Sequence, residues 1–133
     1  MTAANEDAAS YRPCLILAHS DAAYAAAAGR FFRRRGWDVY AAETGPEVRR
    51  LTRMMQPQLV VLEADLPEES GWLTCDKLTR EFPQAPVILV GGELTPLLHT
   101  FASFVGAAAL VGRADGAAAL MPLVPEPALP AAG

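Results

Sequence analysis

Residues 57–72 read PQLVVLEADLPEESGW. Leu59, Val60, Val61 and Leu62 are four consecutive branched apolar residues, the length and chemistry of a strand buried on both faces. The run ends in a carboxylate, Glu63, and Asp65-Leu66-Pro67 then opens an acidic loop that closes at Ser70-Gly71. A helical pattern follows from Trp72 to Glu81. A doubly buried strand needs covering layers above and below, so the rest of the chain is expected to supply helices for both faces.

It does so in both directions. Upstream, CLILA at 14–18 is a second apolar run, followed by the polar His19 and Ser20 and by Asp21, a good helix N-cap. The spacing of Tyr24, Ala27, Ala28 and Phe31 predicts a helix from Ala22 to Arg35, stopped by Gly36. A strand is expected at 38–42 and a helix at 46–55, with Pro46 in its first turn and Val48, Leu51 and Met55 on one face. Downstream, Pro83 and Pro86 frame the turn into VILV at 87–90, and Gly91-Gly92 leads to a helix at 96–104. A fifth strand is expected at 107–111, and a shortened helix at 115–121 broken by Pro122. Strands alternating with helices predict an α/β fold with a parallel sheet and ligands at the carboxyl ends of the strands. Those ends carry His19, Ser20, Glu63, Gly91 and Arg113.

The chain's 133 residues fit one domain, here 13–121, between an N-terminal extension at 1–12 and a Pro/Ala-rich tail at 122–133. A net charge of -4 argues against nucleic acid as the partner. Seven of the eleven basic residues (Arg30, Arg33, Arg34, Arg35, Arg49, Arg50, Arg53) fall in the first two helices and read as solvated helical faces. Cys14 and Cys75 stand far apart, which disfavours both a disulfide framework and a metal centre. No run of about 18 apolar residues is present, so a cytoplasmic location is expected, without membrane insertion. Neither a nucleotide loop nor a GxSxG elbow occurs, and no enzyme activity is expected. His19 reads as an exposed loop histidine, and Asp65, Glu68 and Glu69 as a solvated acidic rim.

Three segments in order, LILAHSDAAYAAAAGRFFRRRGWDVYAAETG at 15–45, PQLVVLEADLPEESGW at 57–72 and GAAALVGR at 106–113, resemble the CheY-like receiver domain of bacterial response regulators. The resemblance covers 13–121 and implies a flavodoxin-like, three-layer α/β/α fold with strand order 2-1-3-4-5. It places the family's phosphoacceptor aspartate on Glu63, with Pro67 and Gly71 holding the family's proline and glycine. The magnesium-binding acidic pair falls on His19 and Ser20, the hydroxyl residue on Gly91 and the small residue after it on Gly92. The lysine falls on Arg113, its cis-proline partner on Ala114 and the aromatic switch on Leu110.

These replacements remove hard oxygen ligands and the groups that stabilise a transferring phosphoryl, so no cofactor is expected and magnesium binding should be weak or absent. The resemblance then implies a pseudo-receiver that signals through protein binding without phosphorylation. Arg113 is expected to pair with Glu63. The partner-binding face implied by the family joins the helix at 96–104, the fifth strand and the last helix. Leu97, Leu98, Phe101, Phe104 and Leu110 are its apolar members, for a protein partner or a second copy of the chain. Two alternatives are a receiver still phosphorylated within a phosphorelay, and a small-molecule sensor using the pocket around His19, Glu63 and Gly91.

Overall fold

The computed structural model describes residues 12–124. The expected extension, Arg12 apart, and the tail beyond Val124 lie outside the described residues. Five strands alternate with four α-helices: β1 (Cys14–Ala18), α1 (Ala22–Arg33), β2 (Asp38–Ala42), α2 (Gly45–Met55), β3 (Leu59–Glu63), α3 (Gly71–Glu81), β4 (Val87–Gly91), α4 (Pro96–Phe104) and β5 (Ala109–Gly112). Every pairing is parallel and the strand order is β2-β1-β3-β4-β5.

Local chemistry sets the boundaries. Asp21 caps α1, its carboxylate accepting from the backbone N–H groups of Ala23 and Tyr24 at 2.9 and 3.2 Å. Thr44, Ser70 and Thr95 cap α2, α3 and α4 through their hydroxyls. Helix α1 stops at Arg33, two residues before the expected end, because the chain tightens into a turn that Gly36 completes at φ 88°. Strand β5 starts at Ala109, two residues late, since Gly106 at φ 85° spends the preceding residues on a turn.

Side chains alternate across the sheet and fill two layers. Ile16, Val60, Leu62 and Leu89 pack under α2, α3 and α4 with Val48, Leu78 and Ala102. On the other face Leu15, Leu17, Val61 and Ile88 pack against Tyr24, Ala28 and Phe32 of α1. The segment after β5 forms two 3-10 turns, Arg113–Asp115 and Ala117–Leu123, in place of the short α-helix expected at 115–121. Gly116 at φ 74° interrupts it, and Pro122 brings no N–H for an α-helical bond. The turn still delivers Leu120, fully buried, to the α1 layer. Among the described residues no helix is long and apolar enough to cross a membrane.

Candidate functional site

The carboxyl ends of β1, β3, β4 and β5 converge on a cleft of about 160 Å³ lined by His19, Glu63, Asp65, Gly91, Gly92 and Arg113. Glu63 ends β3 beside Val90 of β4 and is half-buried. Its carboxylate is held by one residue: Oε1 accepts from the Ser20 backbone N–H at 2.8 Å and Oε2 from the Ser20 hydroxyl at 3.0 Å. The expected Arg113–Glu63 pair is not formed. Arg113 instead donates to Asp21 Oδ2 at 3.2 Å. The loop after β1 supplies both partners: Ser20 satisfies the two Glu63 oxygens, and Asp21 takes the guanidinium that crosses the strand ends from β5.

His19 is half-buried, not the exposed loop residue expected. Its Nδ1 accepts from the Asp21 backbone N–H at 3.0 Å and its ring lies 4.5 Å from that of Tyr24. Burial pushes its pKa below the ordinary 6.5, and Arg113 adds to this, against the opposite pull of Glu63 and Asp21. The neutral ring is therefore the folded form, since a protonated Nδ1 has no lone pair for the Asp21 N–H. An NMR titration of the His19 ring is expected to show a midpoint below 6.5; a midpoint at or above it contradicts this geometry. The unfolded chain takes up that proton more readily, so this group's contribution to stability is present above 6.5 and is lost as pH falls below it.

Gly91 is buried, and a Cβ there would lie 3.2 Å from Leu94 Cδ2 and 3.6 Å from Leu110 Cδ1. Leu110 thus sits beneath the cleft, only 8% exposed, and belongs to the core. This corrects its assignment to the partner face. Leu98 packs partly against the same core. Leu97 and Phe104 are 76% and 81% exposed and Phe101 is 43% exposed. Phe101 lies 5.0 Å from Trp72 of α3 and 6.3 Å from Phe104, ring centre to ring centre. An exposed apolar surface therefore follows the α3–α4 groove, a cleft of about 330 Å³, while the segment after β5 exposes Met121 and Leu123 separately.

Glu69 was expected in a solvated rim together with Asp65 and Glu68. The latter two are exposed, but Glu69 is 9% exposed and binds Arg49 at 3.1 Å, Lys77 at 2.7 Å and the Thr74 hydroxyl at 2.7 Å. Burial alone would raise its pKa; hydrogen bonds from Arg49, Lys77 and Thr74 outweigh burial and hold the carboxyl down to about 2. The basic residues separate accordingly. Arg49 and Arg53 of α2 are engaged by Glu69 and Glu81, whereas Arg35 of the α1 end stacks over the Phe31 ring at 3.6 Å. Among the described residues no three His, Cys, Asp or Glu side chains are grouped to enclose a metal ion.

A family model described as the response regulator receiver domain matches residues 15–111. Among solved structures, a CheY-like response regulator receiver domain protein from Methanospirillum hungatei JF-1 is similar at 19% identity and TM-score 0.77, over 84% of this chain and 90% of that one. A two-component response regulator of the LuxR family from Aurantimonas sp. SI85-9A1 is 22% identical with TM-score 0.76, over 84% and 81% of the two chains. The BeF3-activated N-terminal receiver domain of Klebsiella pneumoniae RstA is 20% identical with TM-score 0.75, over 82% and 92%. No curated protein matches the sequence.

Proposed function

This chain belongs to the response regulator receiver domain family of two-component signalling, and from that premise we propose that it is a pseudo-receiver, signalling through protein contacts without phosphorylation or catalysis of its own. The observation that carries the reading is the clamp of Ser20 on Glu63 at 2.8 and 3.0 Å. Glu63 occupies the position the family resemblance gives to the phosphoacceptor, and both its oxygens are already bonded within the chain. Arg113, at the lysine position, is turned to Asp21.

The donor set does not fit magnesium. A hard divalent ion asks for several oxygen ligands, and the loop after β1 offers a histidine whose Nδ1 is engaged, a serine whose hydroxyl is spent on Glu63, and Asp21, whose oxygens cap α1 and pair with Arg113. Signalling by this reading passes through surfaces that need no switch, among them the apolar groove between α3 and α4. The test is a titration of the whole chain with magnesium and beryllofluoride, followed by amide NMR. Shifts at Ser20, Glu63 and Arg113 below the scatter of remote amides are expected. Saturable shifts at those residues, or acid-labile phosphate after acetyl phosphate treatment, overturn the proposal in favour of a phosphorylated receiver.

A further inference from the structure

The parallel topology sorts the charges by end. At the carboxyl end of the sheet stand the exposed Glu43, Asp65, Glu68, Glu93 and Asp115, none with a basic partner among the described residues. The opposite end carries Arg30 and Arg33 in the last turn of α1, and Arg34 and Arg35 in the turn into β2, all exposed and without a carboxylate partner among the described residues. The helix dipole offers α1 only about half a negative charge at that end. Four guanidiniums exceed it several-fold. A five-residue strand spans about 17 Å, more than the Debye length of about 8 Å at physiological salt, so the two ends do not neutralise each other within one molecule.

We infer that the arginine end of one copy docks on the acidic end of another, a head-to-tail association. Charge complementarity carries it, because the chain itself presents both partners: a guanidinium fork matches a carboxylate bidentately, and ten of the eleven basic residues are arginine. The contact joins two different surfaces, so it does not close on itself as a two-fold dimer does, and it grows by addition. It also brings the neighbour over the mouth of the Glu63 cleft.

Sedimentation velocity of the full chain tests this across salt from about 10 mM to about 1 M, which shortens the Debye length from about 30 to about 3 Å. Expected is a mass that rises with protein concentration at low salt and returns to the monomer at high salt. Arg33→Glu with Arg34→Glu, and separately Glu43→Lys with Glu68→Lys, should each weaken association at least about tenfold. Mixed in equal amounts, the neutralised variants Arg33→Gln with Arg34→Gln and Glu43→Gln with Glu68→Gln should form a pair that grows no further, since each keeps one intact end and neither carries a reversed charge. Circular dichroism confirms that both are folded, and Arg33→Gln with Arg34→Gln serves if the reversal disturbs α1. A wild-type chain that stays monomeric at low salt overturns the proposal. So does an association that resists high salt and disappears in Phe104→Asp, which would place the contact on the apolar α4 surface.

Discussion

Glu69→Ala is expected to lower the stability of the domain by about 3 kcal/mol, which is what holding a carboxyl at about 2 instead of 4.5 corresponds to. The residue is 9% exposed, but Arg49 and Lys77 are 26% and 43% exposed, so solvent screening trims the ion-pair part of that figure. Arg49 and Lys77 turn partly to water when it is gone, but Thr74 is fully buried and its hydroxyl loses the acceptor at 2.7 Å. An unpaired buried hydroxyl adds a cost of about 1–3 kcal/mol. The folded pKa is depressed, so this contribution is complete above 4.5 and disappears as pH falls toward 2. Thermal melts at neutral pH should show a midpoint lower by about 10 °C. Wild type and variant should approach each other in acid, with the unpaired Thr74 hydroxyl as the remaining difference. A variant that melts with the wild type at pH 7 contradicts the account. Gly45, at the first residue of α2, belongs to the same cluster: a methyl there would strike the Thr74 hydroxyl and come within 2.8 Å of Glu69 Oε2.

That cluster is where reading the sequence fails, and the reason is physical. Glu68 and Glu69 are adjacent and chemically alike, yet one is exposed and the other buried. Glu68 at φ 68° turns the backbone, and the turn sends the next carboxylate inward to cations twenty and eight residues distant. Local pattern holds no record of such contacts. The strands were legible because three to four consecutive branched residues have one packing solution, and β1 and β3 fall at their expected residues. The site was legible as a set of positions: His19, Glu63, Gly91 and Arg113 do line one cleft. Its pairings were not. Choosing between Ser20 and Arg113 as partner of Glu63 depends on the path of the loop after β1, which brings Ser20 onto Glu63 and Asp21 onto Arg113. The apolar face was half legible, since Leu97, Phe101 and Phe104 are exposed, whereas Leu110 follows its strand into the core.

Gly71→Ala should destabilise the protein by about 3 kcal/mol, the upper range for forcing a methyl into a filled space. Helix propensity alone argues the reverse, because alanine is favoured over glycine in a helix by about 1 kcal/mol. The sign of the measured change therefore separates the two effects. Gly71 opens α3, and its N–H donates to the Ala64 carbonyl at 2.9 Å, pinning the helix start to the end of β3. A Cβ built there would run into the Glu63 carbonyl oxygen and come within 2.9 Å of Ala64 Cα. Both obstacles are backbone, which has no rotamer to swing aside. Relief requires α3 to move off the strand end, and Glu63 is the residue that gives way beneath it. Denaturant unfolding should show the loss, and amide shifts should spread to Ser20, whose bonds to Glu63 follow the displaced backbone. Gly92→Ala is the control: no atom lies within 4 Å of its Cβ position, and its stability should match the wild type within about 0.5 kcal/mol. Equal stability of Gly71→Ala and the wild type would mean that α3 is not pinned to the end of β3.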